Sequence, residues 1–188
     1  MPAASTTALV VIDVQRGILD DPQLKRKEKT LKALDETVSR IAKLIAQARA
    51  TSVPVIYIQH DGAKGHRLDP TTPGWRLRPE IAPNPGEPII RKRASDSFFE
   101  TTLDAELSAR ATRRLIVCGC MTQYCVDTTT RRAVSQGYDV VLVADGHMTS
   151  DSGSLTFEQI IAHHNSVLHG FDAGAHEVQV VPSSKISF

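Results

Sequence analysis

The sequence predicts an α/β fold of three layers, in which a mostly parallel sheet of six strands lies between two layers of helices. Short apolar runs alternate with segments of helical periodicity along the chain, a pattern typical of parallel strands joined by helices. The chain has 188 residues, 41% of them hydrophobic and 23% charged, which is enough apolar material for one core. We therefore expect a single domain over residues 1–188, with right-handed connections between strands.

The first two of the six predicted strands are apolar on both faces, as expected for strands that helices cover on both sides. The six strands span residues 8–13, 53–58, 88–92, 114–119, 138–143 and 178–181. The first helix is predicted from Leu34, Val38, Ile41 and Ile45, which recur at helical spacing. Gly137 is a suitable left-handed cap for a later helix. The further predicted helices span residues 102–109, 122–136 and 154–169.

Composition restricts the partners and the compartment. A net charge of +1 gives no electrostatic reason to expect nucleic acid. The chain has no apolar stretch of about 18 residues that could span a bilayer, and residues 1–7 lack the pattern of a secretory signal. Three cysteines do not make a disulfide framework, which fits a reducing compartment. We expect a cytoplasmic protein that binds neither nucleic acid nor membrane.

One long segment interrupts the alternation of strands and helices. Residues 59–87 separate the second and third predicted strands and are rich in proline. A loop of this length in a compact domain is commonly functional, so we interpret it as a lid over a site or as a contact between subunits. Trp75, the one tryptophan of the chain, either walls a substrate pocket or packs the loop onto the body of the protein.

Three chemically reactive side chains follow predicted strands at their carboxyl ends. Asp13 follows the first strand, Lys92 ends the third, and Cys125 lies beyond a turn after the fourth. Each has an ordinary explanation by itself: a turn cap, a surface lysine and a small core residue. Ligands bind at the carboxyl edge of open α/β sheets, so the three together predict an active site. The start of a helix and a nearby lysine are expected to keep the Cys125 thiol ionised.

Three motifs carry a resemblance to a known family. They are Asp13-Val14-Gln15 after the first strand, Lys92 followed six residues later by Phe98, and Gly119-Cys120-Met121-Thr122-Gln123-Tyr124-Cys125 before a helix. In this order they resemble the isochorismatase-like cysteine hydrolase superfamily, which includes nicotinamidases and N-carbamoylsarcosine amidohydrolases. The similarity covers nearly the whole chain and implies a Rossmann-like α/β/α fold.

The resemblance implies a catalytic triad of Asp13, Lys92 and Cys125. In that chemistry Cys125 attacks an amide-like carbonyl carbon and forms a thioester, Asp13 carries the proton, and Lys92 holds the thiolate and orients Asp13. The backbone N–H groups of Met121 and Cys125 would form the oxyanion hole, beside a cis peptide bond between Cys120 and Met121. The resemblance also implies a small amide-like substrate, no cofactor, and a homo-oligomer that is a dimer or a tetramer.

Residues near these motifs are candidates for contacts with the substrate. They are Gln15, Ile18, His60, Trp75, Phe98, Gln123 and Tyr124. The polar ones have a structural alternative, since they can stabilise their own turns, and the aromatic ones can belong to the core. Zinc-containing relatives have an Asp-x-His after the second strand, whereas this chain has His60-Asp61-Gly62. We therefore expect no metal.

Three classes of function are compatible with the sequence. The first is an amidohydrolase that cleaves a C–N bond of a small amide, ureide or lactam through a thioester. The second is an isochorismatase-type vinyl-ether hydrolase, which uses the aspartate without a nucleophilic cysteine, so the presence of Cys125 argues against it. The third is a catalytically silent interaction module, because a fold alone does not determine function. A complete triad argues against this third class.

Overall fold

A computed structural model of the chain describes residues 6–188 and shows one central sheet. Within this range the sheet has seven strands, in the order β3-β2-β1-β4-β5-β7-β6 when numbered along the chain. The strands are β1 Thr7–Ile12, β2 Val55–His60, β3 Ile89–Lys92, β4 Arg114–Cys120, β5 Asp139–Met148, β6 Asp172–Ala173 and β7 His176–Val181. β1 lies at the centre of the sheet, and all six of its residues are buried. This position suits its apolar composition.

The six predicted strands are present and pair in parallel, and one further strand was missed. Leu9 of β1 pairs with Val55 on one side and with Ile116 on the other. The missed strand is β6, which runs antiparallel to β7 and has two residues, too few for any periodicity in the sequence. β5 also continues past its predicted end, after a shift in its register with β4 between Val117 and Gly119.

The helices follow the predicted order, but two of them begin later than expected. They are α1 Lys27–Ala50, α2 Leu103–Ala109, α3 Asp127–Ser135 and α4 Phe157–Leu168. A π-helical turn over Thr122–Val126 precedes α3, where the sequence predicted the start of the helix itself. α4 begins after Thr156, whose hydroxyl accepts a hydrogen bond from the Gln159 N–H in a capping box. In the described part of the chain, no helix combines the length and the apolar composition needed to cross a bilayer.

Two apolar layers, one on each face of the sheet, hold the helices in place. Successive side chains of a strand point to opposite faces, so neighbouring residues of β1 contribute to different layers. Leu9 packs in the layer that includes Leu34 of α1, and Val10 packs in the layer that includes Leu103 of α2. All four side chains are almost completely buried. The predicted α/β/α arrangement is therefore confirmed.

The proline-rich segment between β2 and β3 is attached to the segment that follows β1. It contains two short 3₁₀ helices, Pro73–Trp75 and Pro79–Ile81. The Gly17 N–H donates to the Gly74 carbonyl oxygen at 2.8 Å. Glycine is required at position 74, because a Cβ there would lie 2.3 Å from the carbonyl oxygen of Arg67. This close crossing of two backbones places the loop beside the carboxyl end of β1.

Candidate active site

The carboxyl edge of the sheet brings Asp13, Lys92 and Cys125 to one site. Asp13 directly follows β1, Lys92 is the last residue of β3, and Cys125 lies in the π-helical turn after β4. Asp13 has a φ of 49°, in the left-handed region that aspartate adopts more readily than most residues. Its N–H still donates to the Ile58 carbonyl oxygen at 3.0 Å, so the residue stays fixed to β2.

Asp13 and Lys92 form a buried ion pair. Lys92 Nζ lies 2.7 Å from Asp13 Oδ2, and neither side chain is exposed. The same Nζ donates to the carbonyl oxygen of Ala94 at 2.9 Å. Within residues 6–188, neither carboxylate oxygen of Asp13 has a well-aligned hydrogen-bond donor, so its contact with Lys92 is mainly electrostatic. A buried carboxylate with free lone pairs is suited to accept a proton.

Burial opposes ionisation of the Cys125 thiol, against the expectation of a thiolate. Burial first, and then the neighbouring Asp13 carboxylate, raise the pKa of Cys125 to about 12, against the opposing effect of the Lys92 ammonium. The expectation failed because it counted the helix terminus and the lysine but not the loss of water around sulfur. Asp13 and Lys92 both lie close enough to the thiol to influence its pKa, so an acceptor for its proton is nearby.

Lys92 keeps its charge in this site. Burial acts to lower its pKa, but the interactions with Asp13 and then with Cys125 outweigh burial and raise the pKa of Lys92 above its ordinary value. The ammonium group is therefore a positive charge beside both Asp13 and Cys125. The burial that disfavours a thiolate thus coexists with a permanent cation that would stabilise one as it forms.

The backbone packs closely against β1 at Gly119, near the end of β4 and before Cys125. Gly119 has a φ of 129°, and a Cβ there would lie 2.0 Å from the carbonyl oxygen of Ile12, so a larger residue does not fit. The peptide bond between Cys120 and Met121 is cis, at the position that the family resemblance implies. Met121 and Cys125 then lie on the wall of the same cleft.

A cleft of about 180 Å³ opens onto the Cys125 side chain. Three of the predicted substrate contacts, Ile18, His60 and Tyr124, line it. Sequence reasoning missed the other residues of its wall, which come from loops without a recognisable motif. These are His66, Arg67, Leu68 and Ser95. Three of them, His66, Arg67 and Leu68, follow His60 closely in the chain. Their position just beyond the carboxyl end of β2 could have indicated that they lie near the site.

Gln15 and Trp75 have structural contacts and do not line this cleft, so their contacts with a substrate stay predictions. Gln15 is completely buried, and its Nε2 donates to the carbonyl oxygens of His60 and Trp75 at 3.0 and 2.8 Å. Its Oε1 accepts from the His60 N–H at 3.0 Å, so the amide is fully used in joining the loop to the strand ends. Trp75 donates its Nε1–H to Asp61 Oδ1 at 2.9 Å and packs under Arg91, away from the cleft.

Phe98 belongs to the core, and Gln123 lies off the cleft wall. Phe98 is buried in the second apolar layer and stacks on Tyr138 with 6.0 Å between ring centroids, and its contact with a substrate stays a prediction. The sequence could not distinguish a core aromatic residue from one that lines a pocket. The side-chain amide of Gln123 is buried and has no hydrogen-bond partner among the described residues. Its contact with a substrate stays a prediction.

The histidines of the cleft are hydrogen-bonding groups. The ring centroids of His60 and His66 are 6.5 Å apart. Burial lowers the pKa of His60, and its Nδ1 has no partner within the described chain, so a neutral ring offers this atom to a ligand. Across residues 6–188 no group of three or more His, Cys, Asp and Glu side chains is arranged to hold a metal ion. Elemental analysis is the test of the expectation that no metal binds.

The fold and the site together define the class as hydrolytic α/β proteins of the isochorismatase-like type. Residues 7–162 match the Isochorismatase domain family, which is most of the chain. The protein belongs to the isochorismatase family. YddQ, an isochorismatase family protein of Bacillus subtilis, is 31% identical over 185 residues, which cover 97% of this chain and 98% of YddQ.

Other relatives include named hydrolases and solved structures. A streptothricin hydrolase of Streptomyces noursei is 38% identical over 144 residues, which cover 77% of this chain. The match covers 50% of that enzyme, so the chain spans about half of its length. The crystal structure of an isochorismatase from Pseudomonas putida superimposes with a TM-score of 0.84 and 31% identity, over 100% of this chain and 94% of the other.

Proposed function

We propose that this protein is a cysteine-dependent hydrolase that cleaves a C–N bond of a small amide, ureide or lactam through a thioester on Cys125. The observation that carries the proposal is the buried ion pair of Asp13 and Lys92, in contact with the Cys125 thiol at the wall of a cleft. A buried ion pair gives little stability compared with apolar packing, and perturbed ionisable groups cluster at functional sites.

In the first half of the reaction, Asp13 acts as the general base. The proton of the Cys125 thiol passes to the Asp13 carboxylate, while sulfur forms a bond to the carbonyl carbon and the carbonyl electrons move to oxygen. The backbone N–H groups of Met121 and Cys125 donate to this oxyanion. As the intermediate collapses, Asp13 returns the proton to the leaving nitrogen, the C–N bond breaks, and a thioester remains.

In the second half, water hydrolyses the thioester. Asp13 takes a proton from the attacking water, whose oxygen bonds to the carbonyl carbon. Collapse of the second intermediate breaks the C–S bond and releases the acid, and Asp13 returns its proton to the Cys125 sulfur. Lys92 stays protonated throughout, since its contacts raise its pKa, and it stabilises whichever of Asp13 and Cys125 is negative.

Two observations support the substrate class. RutB of Variovorax paradoxus, named a ureidoacrylate amidohydrolase, is 29% identical to this chain over 177 residues. The cleft at Cys125 measures about 180 Å³, which suits a small molecule. We place the apolar part of the substrate against Ile18 and Tyr124, and a polar group of the substrate at His60 Nδ1.

A panel of small amides, ureides and lactams tests the proposal by release of ammonia or amine. We expect the wild-type protein to turn over at least one compound, and Cys125→Ala to lower kcat by about 10³-fold or more because the nucleophile is lost. Cys118→Ala is the matched control, since Cys118 is a buried strand residue of the first apolar layer. Full activity in Cys125→Ala would exclude a nucleophilic role for this cysteine.

The remaining classes are separate outcomes of the same experiment. Pyruvate release from isochorismate that survives Cys125→Ala would indicate a vinyl-ether hydrolase. Inertness toward the whole panel, with a Cys125 that iodoacetamide does not alkylate, would indicate an interaction module. Both results would contradict the proposed thioester chemistry.

A further inference from the structure

A network of three hydrogen-bonded polar side chains, two of them buried, lies behind the turn that carries Cys125 and takes no part in the proposed reaction. It begins at Thr122, the first residue of the π-helical turn, whose Oγ1 lies 2.9 Å from His147 Nδ1. His147 Nε2 lies 2.9 Å from Asn165 Oδ1, and Asn165 Nδ2 donates to the Ala144 carbonyl oxygen at 2.9 Å. Thr122 and His147 are each 1% exposed, so the hydrogen bond between them forms in the interior, whereas the two hydrogen bonds of Asn165 are partly buried.

The direction of each hydrogen bond follows from Asn165. A carbonyl oxygen only accepts, so the atom of Asn165 that faces Ala144 must be the amide nitrogen. The amide oxygen then faces His147, whose Nε2 must carry the proton. In a neutral ring, Nδ1 is therefore an acceptor, and the Thr122 hydroxyl donates to it. Burial lowers the pKa of His147 to about 4, which keeps the ring neutral.

The strand geometry explains how a histidine reaches this position. β5 shifts its register against β4 after Val117, so that Gly119 pairs with His147 and Cys120 with Met148. The ring of His147 thus lies directly behind the residues that lead into the catalytic turn. Asn165 comes from α4, which also contacts the turn. Two elements that carry none of the triad are joined to the turn that carries Cys125.

We propose that His147 and Asn165 are positioning residues that hold the Thr122 hydroxyl, and with it the catalytic turn. Thr122 is bonded directly to Met121, and two residues separate it from Cys125, so fixing it fixes both the proposed oxyanion donor and the proposed nucleophile. This inference rests on the proposed function for its effect on turnover. Removal of the hydroxyl leaves a buried acceptor on His147 without a donor and lets the turn shift.

The test compares threonine variants that differ in one hydroxyl. We expect Thr122→Val to lower kcat about tenfold or more on a substrate of the wild-type protein, with KM changed by less than about twofold. Thr122→Ser keeps the hydroxyl and should restore most of the rate. Thr130→Val is the matched control, because the Thr130 hydroxyl is buried and without a partner among the described residues. We expect it to keep the wild-type kcat.

Asn165→Leu removes the hydrogen bonds of Asn165 at the other end of this network and should reproduce the effect of Thr122→Val. The double variant should be no slower than either single variant, since both break one network. Unchanged kcat in Thr122→Val, equal loss in Thr122→Ser, or equal loss in Thr130→Val would each overturn the inference. Valine has nearly the same shape as threonine, so we expect Thr122→Val to fold. If Asn165→Leu does not fold, Thr122→Val alone tests the inference.

Alkylation of Cys125 by iodoacetamide separates this inference from the proposed function. If the wild-type protein hydrolyses nothing in the panel, the proposed function fails, but the rate of alkylation still reports the position of the thiol beside Asp13. We expect slower alkylation in Thr122→Val and Asn165→Leu than in the wild-type protein and in Thr130→Val. Equal rates in all four proteins would contradict a positioning role.

Discussion

The ammonium group of Lys92 has two effects at the residue scale. It neutralises the buried charge of Asp13, and it opposes the burial that raises the pKa of Cys125. Burial disfavours the thiolate, while the adjacent ammonium group would stabilise one as it forms. Because the thiolate is the reactive form of cysteine, the raised pKa also disfavours oxidation of Cys125.

Removal of Lys92 tests the ion pair. Lys92→Met leaves Asp13 buried without a cation, and we expect the free energy of unfolding to fall by about 3 to 5 kcal/mol, together with loss of activity. Urea unfolding measures the first effect. Arg91→Met is the neighbouring control: Arg91 lies 2.8 Å from Asp61 but is 54% exposed, so its loss should cost less than about 1 kcal/mol. Equal losses in the two variants would contradict the burial argument.

His147 predicts a pH dependence of stability. Its pKa is about 4 in the fold, below the ordinary value of 6.5, so the unfolded chain binds a proton more readily. The stabilisation is fully present above about pH 6.5 and is lost as the pH falls toward 4, by about 3 kcal/mol in total. Urea unfolding between about pH 7 and pH 4 measures it.

Comparison with His147→Gln isolates this contribution from those of the acidic residues. The wild-type protein should lose more stability than this variant over the same pH range. His163→Gln changes an exposed histidine of α4 and should behave like the wild-type protein. Identical pH profiles for wild type and His147→Gln would contradict the assigned shift.

At the element scale, the connection from β4 to the π-helical turn that carries Cys125 requires a glycine at position 119. The motif around Gly119 and Cys125 predicted where Cys125 lies, because a glycine and a cysteine at that spacing follow an apolar strand. The π-helical form of the turn was not predictable, since its residues have the same periodicity as the start of an α-helix. The polar network behind it depends on the shift in β5, which leaves no pattern in the sequence.

Gly119→Ala tests whether the close packing of Gly119 against Ile12 is required for stability. The added Cβ would lie 2.0 Å from the Ile12 carbonyl oxygen at a positive φ, so we expect a loss of more than about 3 kcal/mol in stability by urea unfolding. Gly86→Ala is the control, because its φ is 88° and a Cβ there meets no atom of the described chain within 4 Å. That substitution should cost only the conformational strain, about 1 to 2 kcal/mol. Similar losses would show that contact with Ile12 is unimportant.

At the scale of the whole molecule, the sheet was predictable and the lining of the cleft was not. Apolar runs were clearest for strands at the centre of the sheet, such as β1, whose residues are all buried, whereas β3 and β7 are partly exposed. Gln15 and Trp75 look like ligand contacts in the sequence, but they are used to fasten the loop between β2 and β3. Such long-range contacts arise from topology and have no local signal. The single domain and the homo-oligomer remain predictions, and light scattering measures the second.

Attachment of this loop predicts cooperative unfolding. Trp75 is the one tryptophan, and its carbonyl oxygen accepts from both Gln15 and Gln59, so its fluorescence reports the loop while far-UV circular dichroism reports the helices and sheet. We expect the two transitions in urea to coincide, as for a two-state domain. A change in fluorescence at a lower urea concentration would instead identify the loop as an independent unit.

Mass spectrometry of the acid-quenched reaction tests the thioester most directly. The protein is mixed with a substrate from the amide panel, quenched during the first turnover and digested. We predict that the peptide containing Cys125 gains the mass of the acyl group, and that the gain is absent in Cys125→Ala, which also produces no product. Product formation by Cys125→Ala at the wild-type rate, with no acyl adduct on the wild-type protein, would contradict the proposed chemistry.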